Sequence, residues 1–270
     1  MRRLSRIAED QPARISVKSL SIANQKGGVG KSTLSVHICY AAIEQGLRVL
    51  LVDMDKQGSL TLTFPPQKDA TPGLKASALY SPDISGEIPE TISPLLSIIR
   101  ADSALLSIDK APNDYIRHPA RALKRFDQQF DLCIIDTPPL LGLRLMASLA
   151  ASDCVVTPVP VGLYELAGVA DLMQTIQVVK KQGFNPRLRH IGILPMRMNT
   201  RSKDEVSALA SMRLKYGDAI LPDIIVERAP VKTAIAKRMP VWLKTRGDGH
   251  LKAAREWKSA CNAILERVMK

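Results

Sequence analysis

Residues 22–33 read Ile22-Ala23-Asn24-Gln25-Lys26-Gly27-Gly28-Val29-Gly30-Lys31-Ser32-Thr33. An apolar run (Leu20, Ile22, Ala23) feeds a glycine-rich turn, and a helical pattern opens after it at Leu34. Three glycines let successive backbone N–H groups turn inward around an anion, and the following helix points its positive end at the same place. Strand, glycine turn and helix in that order form the setting of a phosphate-binding loop. Gly27, Gly28, Val29, Gly30, Lys31, Ser32 and Thr33 are therefore the candidate loop residues. Lys31 is placed to neutralise the β and γ phosphates, and the Ser32 hydroxyl to ligate Mg²⁺.

The common loop pattern has a glycine where this chain has Gln25, and a second lysine, Lys26, stands inside the loop. The run Lys26-Gly27-Gly28-Val29-Gly30-Lys31-Ser32 resembles the deviant Walker A loop of the ParA/MinD group, and the chain is similar to the ParA partition ATPases. That resemblance implies a P-loop NTPase fold, ATP and Mg²⁺ as cofactors, and a homodimer formed around bound ATP. In such a dimer Lys26 reaches the nucleotide of the partner subunit.

Two further strands end in acids. Arg48-Val49-Leu50-Leu51-Val52-Asp53 is the continuous apolar run of a parallel strand covered on both faces, and Met54-Asp55-Lys56-Gln57-Gly58-Ser59 follows it. Carboxylates at the carboxyl end of a strand beside a phosphate loop stand where open α/β sheets place their chemistry. The resemblance implies that Asp55 orients the attacking water and that Asp53 supports the Mg²⁺ shell. Lys56 and Ser59 depart from the family's usual Pro and Asn. Asp131-Leu132-Cys133-Ile134-Ile135-Asp136 is a buried strand ending in one acid, 105 residues after Lys31, and Thr137-Pro138-Pro139 completes a family hallmark. Asp136 is expected to hold Mg²⁺ through water, and the prolines to begin a loop that senses the terminal phosphate.

Elsewhere, residues 1–18 are a basic, aperiodic extension (Arg2, Arg3, Arg6, Arg14, Lys18), and 19–270 form the ATPase domain. Residues 64–95 are rich in Pro, Ser, Gly and Asp and read as a rim excursion with a short helix near Leu74–Tyr80; Leu95–Arg100 is a candidate strand. The spacing of Ile116, Ala120, Leu123 and Phe126 predicts a surface helix over 115–130. Strands over 153–160 and 190–195 bracket a long helix over 164–182, and another helix begins at Ser202. By resemblance Met198 and Asn199 lie in the loop that contacts adenine. Leu251, Ala254, Trp257, Cys261, Ile264, Leu265 and Val268 form one stripe of a final helix. The expected architecture is a doubly wound, mostly parallel α/β sheet of seven or eight strands with helices on both faces.

Composition narrows the function. No run of eighteen apolar residues suggests a membrane span, and the N-terminus lacks the apolar core of a secretion signal. The four isolated cysteines suggest neither a zinc site nor a disulfide framework. A soluble, cytoplasmic protein is expected. The net charge of +12 is unevenly spread: residues 187–270 hold 18 Lys/Arg against 8 Asp/Glu, whereas 1–186 hold 20 against 18. Such asymmetry is the footprint of a face for polyanions. Lys232, Lys237, Arg238, Lys244 and Arg246 are the candidate contacts to double-stranded DNA backbone, with Arg197, Arg201 and Lys203 as further candidates.

Together these imply slow, partner-stimulated ATP hydrolysis that drives plasmid or chromosome partition, with a ParB-like centromere-binding protein as partner and the nucleoid as location. Three rivals share the loop: a small-molecule kinase or ligase, a MinD-like membrane positioner whose last helix is an anchor, and a nucleotide-binding scaffold for other cargo.

Overall fold

The computed structural model describes residues 17–68, 71–84, 86–162 and 165–270, without the side chains of 165–167. The extension over 1–16 lies outside the described residues. Strand β1 (Lys18–Ile22) leads into α1 (Lys31–Glu44), β2 (Val49–Asp53) and a short α2 (Ser59–Thr63). A 3₁₀ turn at Ala76–Tyr80 precedes β3 (Glu90–Ser93) and β4 (Leu96–Ile99). Then follow α3 (Leu105–Ile108), α4 (His118–Leu123), β5 (Leu132–Asp136), α5 (Leu143–Ala150), β6 (Cys154–Pro160), α6 (Glu165–Lys181) and β7 (Arg189–Met196). The chain ends with α7 (Lys203–Tyr216), α8 (Ala229–Ala236) and α9 (Gly247–Met269).

The strands form one seven-stranded sheet in the order β3-β4-β2-β5-β1-β6-β7. All neighbours are parallel except the edge pair β3 and β4. Alternation along each strand explains the unbroken apolar runs, since successive side chains serve opposite layers. Val49, Leu51, Leu132 and Ile134 pack with α1 and α9, while Leu50, Val52, Cys133 and Ile135 pack with α4 and α5. The register pairs Asp136 with Ile22 on one side and with Asp53 on the other. Both strand-end acids are thus brought level with the start of the glycine loop.

Several elements differ from the sequence expectation. β1 begins at Lys18, one residue before the expected domain boundary. α1 begins at Lys31 rather than Leu34, because Gly30 supplies the left-handed cap (φ 98°) and Lys31, Ser32 and Thr33 form the first turn. No continuous surface helix spans 115–130: 3₁₀ turns at Asn113–Arg117 and Lys124–Phe126 flank α4. Pro119 explains the break upstream, since proline fits the first helical turn and clashes with a carbonyl four residues back. Ile116, Leu123 and Phe126 are buried against the sheet, so the segment is a core layer. α8 was not legible as a helix; Pro230 sits in its first turn. In α9 every expected stripe residue is buried except Leu251, which is 42% exposed. That stripe packs in the core with α1, and all four cysteines are buried and free.

Candidate nucleotide site and basic face

The loop between β1 and α1 is shaped by side chains that flank the glycines. Asn24 is buried; its Nδ2 donates to the Pro158 carbonyl (2.8 Å) and its Oδ1 accepts the Lys26 N–H (2.8 Å), an Asx turn that opens the loop. The Thr137 hydroxyl donates to the Ile22 carbonyl (2.8 Å), tying the loop's entry to the end of β5. Gly28 (φ 70°) and Gly30 (φ 98°) occupy the left-handed region, which is why glycine is required at both. Gly27 and Gly28 are exposed, whereas Val29 is a buried anchor. Lys31 is 7% exposed, and its Nζ reaches back to the Lys26 carbonyl (3.0 Å), spanning the concavity. Burial lowers the Lys31 pKa, opposed by the charges of Asp136 and Asp55.

The acids divide their tasks. Asp53 accepts the Asp55 N–H at Oδ1 (3.2 Å) and the Thr61 N–H at Oδ2 (2.7 Å), so it organises the turn while standing level with Asp136 on the neighbouring strand. Asp55 is partly exposed and accepts the Gln57 N–H (3.0 Å). Asp136 is 1% exposed, and neither carboxylate oxygen has a hydrogen-bond partner among the described residues. Ser32 stands beside that carboxyl without reaching bonding geometry and tempers its pKa; burial first, then the Asp53 charge, pushes it up. Two buried, unmet carboxylate oxygens next to a serine hydroxyl fit a hard divalent cation, which would restore the ionised form. Ser32 and Asp136, backed by Asp53, are the donors that suit Mg²⁺.

Lys26 is half-buried, and its stem runs along α6 at Gly168, where a Cβ would stand 3.5 Å from Lys26 Cε. Of the two expected adenine residues, only Asn199 is exposed; Met198 is 4% exposed and packs with Val161, Ala208 and Leu209. Asn199 belongs to the cap of α7: its N–H donates to Glu205 Oε2 (2.7 Å), while the Ser202 hydroxyl accepts the Glu205 N–H. The adjoining Arg197, in a left-handed conformation (φ 56°), donates to the Gly28 carbonyl (3.1 Å) and pairs with Glu227 (3.2 Å). Arg197 is therefore committed to the loop, a link that no local pattern announces.

Lys232, Lys237, Arg238, Lys244 and Arg246 are all exposed, on α8 and the connector to α9; Lys232 stands 3.7 Å from Glu227. Arg201 and Lys203 are also exposed. The connector is fastened to α1 along one helical face. Tyr40 donates to the Arg238 carbonyl (2.6 Å), His37 Nε2 accepts the Val241 N–H (3.2 Å), and Glu44 accepts the Trp242 indole N–H (2.6 Å). The helix whose first turn is the phosphate loop thus carries the basic segment on its flank.

Residues 17–190 match the AAA domain family, and the chain is 32% identical over 249 residues to the sporulation initiation inhibitor protein Soj of Bacillus subtilis, covering 88% of this chain and 97% of Soj. The chain belongs to the ParA family of partition ATPases. Protein IncC of Escherichia coli is 30% identical over 262 residues, covering 94% of this chain and 70% of IncC. In fold, the ATP complex of a McdA variant from Cyanothece superposes with a TM-score of 0.81 at 20% identity, covering 93% of this chain and 97% of McdA. As a ParA-family member the chain is a nucleotide-binding P-loop ATPase. Among the described residues no helix is long and apolar enough to cross a membrane.

Proposed function

We propose that this ParA-family chain is an ATP-operated DNA switch. Its triphosphate-bound form is a homodimer that binds double-stranded DNA without sequence preference, and slow hydrolysis, stimulated by a ParB-like centromere-binding partner, ends that state. The observation that carries the reading is the fastening of the five-cation segment to α1, the helix that begins in the phosphate loop. A change in that helix's seating on nucleotide has a short physical route to the cations.

In the reaction, Lys31 and the loop N–H groups place positive charge where the phosphoryl transition state spreads negative charge. Lys26 adds a further charge from the partner subunit, and Asp55 holds the water in line. Mg²⁺ supplies additional neutralisation of the phosphate oxygens when bound at Ser32 and Asp136. Met198 and Asn199 border the base through their segment of chain. Two linked basic faces bind with avidity, so DNA affinity rises steeply on dimerisation. The core-facing stripe of α9 favours DNA over a lipid surface as the second ligand.

DNA binding measured with ATP, ADP and no nucleotide, on the wild type and Lys31→Ala, tests this. Tight, salt-sensitive binding confined to wild type with ATP supports it; binding indifferent to nucleotide, or ATP-dependent sedimentation with anionic liposomes instead, contradicts it.

A further inference from the structure

Arg144 is a buried cation that no step above uses. It opens α5 with a side chain only 7% exposed. Its Nε and Nη2 both donate to Asp109 Oδ2 (2.9 and 2.7 Å), its backbone N–H donates to Asp109 Oδ1 (3.2 Å), and its Nη1 donates to the Met54 carbonyl (3.1 Å). Met54 is the residue between Asp53 and Asp55, and it is fully buried. Its N–H donates to the Asp136 carbonyl (3.0 Å). The Met54 backbone is therefore gripped on one side by the end of β5 and on the other by the start of α5. Between those two points runs the loop 137–142.

Asp109 is held hard against that loop. A Cβ on Gly142 would stand 2.8 Å from Asp109 Oδ1 and 3.2 Å from its Cγ, so the carboxylate lies directly on the glycine backbone. Burying a guanidinium with one carboxylate adds little net stability over an apolar pair of similar size. What the fork does provide is geometry: its donors point in fixed directions, here at one carboxylate and one carbonyl. Fixing the Met54 carbonyl fixes the peptide plane that leads into Asp55.

We propose that Arg144, braced by Asp109, is a positioning residue that sets Asp55 and couples it to the loop 137–142. The proposal rests on the reading that Asp55 orients the attacking water. A displacement of 137–142 around a terminal phosphate then moves Arg144 and, through the Met54 carbonyl, the Asp55 carboxylate. Loop position and water alignment change together.

The test uses the full chain with Arg144→Lys, which keeps the charge and loses the fork, Arg144→Met, which keeps the stem, and Asp109→Asn, at a carboxylate 35% exposed. Three quantities are read: kcat for ATP hydrolysis, Kd for a non-hydrolysable ATP analogue, and amide hydrogen exchange over 53–58 without nucleotide. The expected result is a kcat lowered by about tenfold to a hundredfold. The Kd stays within about threefold, which separates positioning from general damage to the nucleotide site. Exchange over 53–58 speeds up while that of β1 and α9 is unchanged. Folded Arg144→Lys and Asp109→Asn proteins with wild-type exchange over 53–58 overturn the proposal. Asp55→Asn separates the two layers: full hydrolysis in that variant removes the assigned role of Asp55, and the exchange result still decides whether Arg144 sets the segment.

Discussion

In the proposed reaction Lys31 and Asp136 each carry a role in a single side chain. Removing the lysine that spans the loop, as in Lys31→Ala, is expected to lower turnover by about a hundredfold. A single-turnover assay at saturating ATP checks this, and turnover near wild type would deny Lys31 its role. A second residue-level case is structural. Glu90 and Arg100 form a buried pair (2.6 Å), and Arg100 also donates to the Thr61 and Phe64 carbonyls behind Asp53. Glu90→Ala leaves that guanidinium buried without its counter-charge, at a cost of about 3 kcal/mol in urea unfolding. A loss below about 1 kcal/mol would show that the pair is dispensable. Lys31, Ser32, Asp53 and Asp136 stood out as candidates in the sequence because glycine spacing and strand-end position are local patterns. Arg144 and Arg197 did not, since their partners lie 30 to 169 residues away and only the fold brings them together.

α1 shows how one element serves two ends of the molecule. His37 packs between Trp242 and Trp257 (ring centroids 5.5 and 4.2 Å), and burial pushes its pKa down to about 4, partly offset by its hydrogen bond to the Thr33 carbonyl. The folded state thus keeps His37 neutral, while the unfolded chain protonates it near 6.5. Its contribution is complete above pH 6.5 and is lost as pH falls from there towards 4, amounting to about 2 kcal/mol by pH 5. His190, also pushed down to about 4 by burial, adds a loss of the same sign. The raised carboxyls of Asp53 and Asp136 act in the opposite sense, so the informative quantity is a difference between proteins. Urea unfolding of wild type and His37→Gln at pH 7 and pH 5 is expected to show a shallower acid loss in the variant; equal losses would contradict the assignment. The parallel strands and the long helices α1, α6 and α9 were readable from the sequence pattern, but β3 (Glu90–Ser93) was not, since it falls in the Pro- and Ser-rich stretch 64–95 that reads as an excursion. The broken segment 113–126 was not readable, because proline placement and packing outweighed its apparent helical spacing, and α8 was not, because it is only eight residues long with Pro230 in its first turn.

Across the whole chain, the charge imbalance noted in the sequence becomes a place: an exposed basic segment on the flank of the helix that starts at the phosphate loop. Lys237→Glu combined with Arg238→Glu is expected to weaken ATP-dependent DNA binding and to reduce its salt slope by about 1 for each phosphate that is no longer neutralised. Nucleotide affinity should be unchanged, and an unaltered slope in a titration over salt would remove these residues from the face. The mostly parallel sheet with helices on both faces was legible in the sequence, whereas its strand order was not, because neighbouring strands come from distant segments of the chain. Association of two copies is implied only by the resemblance at Lys26, because the residues of a shared surface carry no periodic signature. The most direct measurement is sedimentation equilibrium of the full chain with Mg²⁺ and a saturating non-hydrolysable ATP analogue. A dimer that reverts to monomer when Lys31 is replaced by alanine is the predicted result; a wild-type monomer under saturation would contradict the account.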